Sequence, residues 1–320
     1  MKLRIGIIGL GKIAPRVAKG ILNSEYGSLY AVASRDYNNA IKFANDYGAL
    51  KAYGNYEDLV KDEKIDIVYV ATVNETHFDL IKLCADNHKN VICEKPLVKN
   101  TEETIEIFDY CKDKNVFLME AQKACFTDLN NKIHALINDG ILGKIKVIYA
   151  SFVTKDKYPK DHFVMDKVYG GVFKDIGVYC IAYANYMAMS KIDEVEILEL
   201  VKEDGVDVRG KLHLRYNNDI DAYIRTGFDI NLKNFAVIEG SRGTIMCEDF
   251  WKSDVAYLVL NNQLYEIKNK HISEFSGEID HACICIYTGI GNSHTYGKKD
   301  SIEVAKVIDF IKEAKDEKRD

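Results

Sequence analysis

The stretch Leu3 to Lys19, LRIGIIGLGKIAPRVAK, constrains this chain more than any other, because it reads as a buried strand, a glycine-rich turn and the start of a helix. Its core is Gly9-x-Gly11-x-x-Ala14. The apolar run Ile5, Ile7, Ile8 and Leu10 feeds into the glycines, and the periodic Ile13, Val17 and Ile21 follow, which is the strand-to-helix context that a dinucleotide fingerprint requires. Each residue type meets a physical need: Gly9 permits the tight turn, Gly11 lets backbone approach a pyrophosphate, and Ala14 is small enough for close helix-sheet packing. N–H groups at the helix start would then face the phosphates, with Lys12 and Ile13 beside them. The bland alternative is an ordinary glycine turn between strand and helix.

With 320 residues the chain exceeds what one core usually supports, so two domains are expected, 1–122 and 123–320. The apolar fraction of 47% suits a globular fold, and a net charge of −6 with both signs interspersed argues against a nucleic-acid or anionic-membrane surface. The tail Lys312 to Asp320 reads as a solvated helix end. Eight scattered cysteines without a CxxC pair read as reduced residues of a cytoplasmic protein. Cys283 and Cys285 lack a second pair or nearby His spacing, so no metal is expected. The apolar run at the N-terminus is too short and glycine-broken for a signal peptide, and nothing approaches the roughly 18 residues of a membrane helix.

Further along, Leu29 to Ala33 reads as a second buried strand ending at Ser34-Arg35-Asp36. An acid at that tip would accept from the ribose 2′-OH of NAD, whereas a small polar residue with Arg suits the 2′-phosphate of NADP. Ser34 and Arg35 therefore favour NADP; Asp36 is the counter-argument, although an Asp preceding a helix (Tyr37 to Tyr47) is also an ordinary cap. Another buried strand, Ile65 to Ala71, runs into Thr72-Val73-Asn74-Glu75-Thr76-His77. Ligands of open parallel sheets bind beyond the carboxyl ends of strands, so Thr72, Asn74 and His77 are expected to line the cofactor, Asn74 or His77 being otherwise part of a helix start. Val91 to Cys93 ends in Glu94-Lys95-Pro96; these two charged residues join the expected cofactor contacts, and the Lys95-Pro96 bond is a candidate for cis geometry. Strand-helix alternation continues to about Gln122. From Val195 to Leu260 the pattern becomes alternating and turn-punctuated, which predicts antiparallel sheet with a face that a second copy could cover.

Between the halves lies Gly170-Gly171-Val172-Phe173-Lys174-Asp175-Ile176-Gly177-Val178-Tyr179, where Asp175 and Tyr179 share a face if helical. Hydride transfer at an alcohol carbon needs a tuned proton donor or acceptor near the oxygen, and Tyr beside Lys suits that task. GLGKIA, SRD, ATVNETH, ICEKPL and GGVFKDIGVY, in this order and at these intervals, resemble the glucose-fructose oxidoreductase / inositol dehydrogenase / MocA (Gfo/Idh/MocA) family. The resemblance implies a Rossmann domain binding NAD(P) and a C-terminal α/β domain with a large, mainly antiparallel open sheet, and hence an oxidoreductase acting on a sugar, polyol or cyclic diol. Carried over by motif, the catalytic residues are Lys95, Asp175 and Tyr179. Tyr179 stands where many members have His, as in the branch containing glucose-fructose oxidoreductase and dimeric dihydrodiol dehydrogenase. Val73 replaces a frequent Pro, and Asp161-His162-Phe163 lacks an Arg often found upstream of the double glycine; His162 is either its substitute or a surface-loop histidine. The resemblance also implies a homo-oligomer. A competing reading is a catalytically silent dinucleotide-binding sensor on the same fold.

Overall fold

Continuous apolar runs alternating with amphipathic segments build the first part of the chain. The computed structural model describes residues 2–156, 158–269 and 273–314, so the expected tail beyond Ala314 lies outside the described residues. In chain order come β1 (Leu3–Ile8), α1 (Ala14–Leu22), β2 (Gly27–Ala33), α2 (Tyr37–Tyr47), β3 (Lys51–Tyr53), α3 (Tyr56–Lys61), β4 (Ile67–Val70), α4 (His77–Asp86), β5 (Asn90–Glu94), α5 (Thr101–Asp113) and β6 (Leu118–Ala121). Among the described residues the strands pair in parallel in the order β3-β2-β1-β4-β5-β6. That is the doubly wound order, with its direction of growth reversing between β1 and β4. Ile5, Ile7 and Ile8 of β1 and all four residues of β4 are inaccessible because helices cover both faces. Side chains mark the helix starts: Asp36, Asn55 and Asn100 each accept a backbone N–H at the heads of α2, α3 and α5.

The second part begins with α6 (Asp128–Asn138) and β7 (Ile145–Val153). A π-helical turn, Phe173–Gly177, then runs directly into α7 (Val178–Ala188). There follow β8 (Ile192–Glu203), β9 (Val206–Tyr216), β10 (Asp221–Gly227), β11 (Phe235–Gly240), β12 (Gly243–Glu248), β13 (Val255–Leu260) and β14 (Gln263–Lys268). They make an eight-stranded sheet in the order β14-β13-β12-β11-β7-β10-β9-β8, antiparallel throughout except for β7 against β10. Strand alternation divides its faces. Ile148, Ala222, Leu214, Ile238, Ile245 and Ala256 are buried, on the side where α7 packs across β7 and β10. Their chain neighbours Tyr149, Tyr223, His213, Val237, Met246 and Tyr257 lie opposite one another in register and form a row along the other face.

Two helices close the described chain, α8 (Ser276–Tyr287) and α9 (Lys298–Glu313). The chain divides into two compact units, Met1–Phe126 with Ile272–Ser301 and Thr127–His271 with Ile302–Asp320. The first unit therefore takes back a segment that consecutive ranges such as 1–122 and 123–320 do not assign to it. Packing explains the return: a side chain on Gly20 of α1 would stand 2.5 Å from Phe275 Cβ, so the glycine lets α8 close onto α1. Glu274 ion-pairs with Arg16 and with Lys123 (2.5 Å), and Asp280 accepts from Ser24 Oγ at 2.5 Å. β3 and β14 lie outside the sequence expectations; the first is three residues long and the second is an exposed polar edge, so neither carries a readable pattern.

Candidate active site

At the tip of β1, Gly9 has φ +88°, and a Cβ there would meet Thr72 Cγ2 at 2.6 Å and the Ala71 backbone at 2.9 Å. Glycine is thus imposed twice, by dihedral angle and by the close approach of the β4 tip. Gly11 is exposed, and the place its Cβ would occupy has nothing within 4 Å. Behind it α1 starts with no side-chain cap and with a proline in its first turn. An open space at a helix start that no side chain caps, on the positive end of the helix dipole, is the environment an anionic group fits, and Lys12 and Ile13 flank it. The residues present therefore suit a dinucleotide pyrophosphate.

The β2 tip separates Ser34, Arg35 and Asp36 by role. Asp36 Oδ1 accepts from Asn38 N (3.0 Å) and Asn39 N (3.4 Å), committing this carboxylate to the head of α2. Ser34 is nearly buried, with Oγ accepting from Asp36 N at 3.2 Å, while Arg35 is exposed. At the β4 tip Thr72 is half-buried and its Oγ1 accepts from Thr76 Oγ1 at 2.7 Å; Asn74 opens a 3-10 turn, Asn74–Thr76, before α4.

Two of the expected cofactor contacts, His77 and Glu94, are buried. His77 is buried, with Nδ1 3.1 and 3.0 Å from the Pro96 and Leu97 carbonyls and Nε2 3.2 Å from that of Thr72. Its ring ties the β4 tip to the turn after β5. Burial holds its pKa below the usual histidine value against these carbonyls, which act in the opposite direction. Glu94 is likewise buried, with Oε1 2.9 Å from Tyr69 Oη; that hydroxyl lies 3.0 Å from Oε1 of Glu278, another buried carboxyl. Both side chains brace the strand tips through these contacts. The Lys95-Pro96 bond is cis, and Lys95 is half-buried, its charge felt by Glu94, Glu120 and His77.

In the second unit the double glycine is required by packing. Gly170 has no room beside the Val164 and Asp166 backbone, and Gly171, at φ +109°, lies against the Asp207 carboxylate. Asp207 Oδ2 accepts from Phe173 N at 2.9 Å and so caps the π-helical turn carrying Asp175. Asp175 is half-buried within reach of Tyr158, whose pKa it helps burial raise to about 12. Tyr179, on α7, is 8% exposed, with its ring 5.8 Å from Phe152, which stacks on Trp251 at 3.7 Å. Lys174, just before Asp175 in sequence, is buried beside Lys312 and donates to the Val168 carbonyl; burial, then that second cation, bring its pKa down to about 7. His162 caps a short turn by accepting from Val164 N and stacks among Tyr158 and Phe163. Sequence reading missed Asp207, Tyr69 and Glu278. A charge between valines in a strand (Val206-Asp207-Val208) is a usable signal for the first, whereas the others meet across more than 200 residues.

A doubly wound sheet with an uncapped helix behind a Gly-x-Gly turn at the switch point defines a dinucleotide-binding protein of the Rossmann class. Residues 3–122 match the model of the oxidoreductase family with NAD-binding Rossmann fold, and residues 130–246 match the GFO/IDH/MocA C-terminal domain. Trans-1,2-dihydrobenzene-1,2-diol dehydrogenase of Xenopus tropicalis is 31% identical over 97% of both chains. D-xylose 1-dehydrogenase (NADP(+)) 2 of Haloferax volcanii is 26% identical over 98% of this chain and 97% of that one. The solved aldose-aldose oxidoreductase of Caulobacter crescentus, complexed with glycerol, superposes with TM-score 0.87 at 23% identity, over 97% of this chain and 96% of that one. This chain belongs to the GFO/IDH/MocA family of NAD(P)-binding oxidoreductases.

Proposed function

We propose that the chain is an NADP-preferring dehydrogenase or reductase that acts on a hydroxyl or carbonyl carbon of a sugar, polyol or cyclic diol. The observation that carries the cofactor choice is the occupation of Asp36 by two N–H groups of α2, which leaves Ser34 and exposed Arg35 at the β2 tip to meet a 2′-phosphate. The similarity to dihydrodiol and NADP-dependent xylose dehydrogenases supports the substrate class and, in the second case, NADP. A bound cofactor of this kind supplies hydride exchange at its nicotinamide. From this chain, Lys95 steadies developing negative charge on the substrate oxygen, Tyr179 gives or takes the proton there, and Asp175 orients the hydroxyl. Gly9, Gly11, Lys12 and Ile13 bind the pyrophosphate, and Thr72 and Asn74 line the cofactor's path.

Two wider features belong to the same reading. The row Tyr257, Met246, Val237, Tyr149, Tyr223 and His213 exposes large side chains, Tyr223 at 37%, Met246 at 40% and Tyr257 at 42%, beside a cavity of about 230 Å³ lined by Tyr149, Tyr223 and Phe235. Such a face suits a second copy of the chain, making a homo-oligomer. The eight cysteines are buried and form no disulfide, which suits the reducing cytoplasm, and no described helix is long and apolar enough to cross a membrane.

Titration of the purified chain with NADPH and NADH, followed by nicotinamide fluorescence, tests the cofactor. NADPH is expected to bind more tightly by about tenfold or more, as charge-assisted contacts to one phosphate imply. Lys95→Ala is then expected to keep NADPH binding and to lose turnover on a polyol and aldose panel by about 100-fold or more. Absence of binding by either dinucleotide overturns the proposal. Tight binding without turnover on any substrate favours the sensor.

A further inference from the structure

The segment that returns to the first unit carries side chains the proposed reaction does not use. α8 places His281 and Cys285 one turn apart on one face, and the chain after the helix brings His294 back to them. His281 Nε2 lies 3.4 Å from Cys285 Sγ, and the two imidazole rings are 4.8 Å apart between centroids. One donor atom from each of the three residues falls within 4.8 Å of the other two. Cys285 is buried, His281 half-buried and His294 exposed, so the cluster has a closed floor and an open mouth.

We propose that His281, Cys285 and His294 form a binding site for a zinc ion or a similar borderline-soft divalent transition-metal cation. Two imidazoles and a thiolate select such ions over magnesium or calcium. Zinc bonds of about 2.0 Å to nitrogen and 2.3 Å to sulfur in a tetrahedron place donor atoms about 3.5 Å apart, which the His281–Cys285 pair already satisfies. A small turn of the exposed His294 ring supplies the third bond, and water from the open side takes the fourth.

The metal-free hydrogen bonds already set the right histidine nitrogen. Ser293 Oγ accepts from Thr295 N at 3.2 Å and Tyr296 N at 3.1 Å, leaving its own hydrogen to donate to His281 Nε2 at 2.8 Å. Nε2 is therefore the unprotonated nitrogen, its single lone pair held by the Ser293 hydroxyl hydrogen, which turns away when a cation takes that lone pair. On binding, the cation takes the lone pairs of Nε2, the His294 ring and the sulfur; the Cys285 S–H bond breaks and its proton leaves to solvent, with no change in oxidation state. The His281 ring is braced by Phe126 at 5.0 Å, and Asn292 bridges to Leu118 of β6, so both ends of the site rest on regular structure.

The tag-free full chain, stripped with chelator and dialysed, is titrated with cobalt(II) as the spectroscopic substitute. A thiolate-to-cobalt charge-transfer band saturating at one ion per chain is expected, displaced by zinc. Zinc is also expected to raise the melting temperature in a concentration-dependent way. Cys285→Ser should abolish the band, and His294→Ala, at an exposed position that the fold does not need, should weaken cobalt binding at least about tenfold while NADPH binding stays unchanged. No band on the folded chain at millimolar cobalt, a band that survives Cys285→Ser, or affinity unaltered in His294→Ala each overturns the site.

Discussion

At the scale of single residues, neighbours in sequence take unrelated jobs. Asp36 and Arg35 sit side by side at the β2 tip, yet one is spent on the head of α2 and the other faces solvent. Asp36→Ala is expected to lower stability by about 1 kcal/mol through the lost cap and to leave the ratio of NADPH to NADH affinity unchanged. Arg35→Ala should leave the melting temperature alone and cut that ratio by about tenfold, the effect of one charge-assisted contact. Parallel cofactor titrations and thermal melts of the two variants decide the matter, and a ratio that moves in Asp36→Ala returns that carboxylate to the ribose. His77 shows the same lesson in reverse: a histidine at a strand tip reads as a ligand-facing group, but its nitrogens meet the Thr72, Pro96 and Leu97 carbonyls.

At the scale of elements, the buried carboxyls show how α8 is joined to the parallel sheet. Tyr69 Oη of β4 stands between Glu94 of β5 and Glu278 of α8, and a phenol has one proton to give. It donates to one carboxyl and accepts from the other, which must keep its own proton. Glu278 is that group: burial, and then the charge of Glu94, push its pKa well above the ordinary 4.5. An acid whose folded pKa is raised contributes its full stability below the unfolded value and loses it as pH rises above about 4.5, since the unfolded chain ionises first. Glu278→Gln, the neutral isostere, is therefore expected to fold, to match the parent within about 1 kcal/mol near pH 4.5, and to become the more stable of the two as pH rises from 5 to 8, because it has no proton for the unfolded chain to release. Tyr69→Phe should cost about 1–3 kcal/mol at every pH in that range by stranding both carboxyls. Urea unfolding across the pH series measures both; an unchanged slope in Glu278→Gln would show that Glu278 is ionised in the folded chain.

For the whole molecule, the eight-stranded sheet leaves one face with aromatic side chains in register, Tyr149 and Tyr223 stacked at 5.5 Å and Tyr223 and His213 at 4.9 Å. Sedimentation velocity is expected to find the parent chain as an oligomer at micromolar concentration. Tyr223→Glu, which puts a charge in the middle of that row, should yield monomer with an unchanged circular dichroism spectrum, because the side chain lies outside the buried face. A parent chain that sediments as monomer removes the sheet face from consideration as an interface.

Much of this architecture was legible in local chemistry. The glycine turn of residues 9–14, the continuous apolar strands and the side-chain caps depend on residues a few positions apart, so β1, β2, β4 and α2 could be placed from the chain alone, and the period-2 alternation after Val195 announced the second sheet. The family motifs supplied the expectation for Lys95, Asp175 and Tyr179. What only the tertiary structure decided depends on contacts between distant segments: the return of residues 272–301 to the first unit, the Tyr69–Glu94–Glu278 cluster, Asp207 at the head of the π-helical turn, and the meeting of His281 and Cys285 with His294. Local propensity and periodicity carry no term for such pairings, because the side chains become neighbours only when the sheet and helices have closed around them.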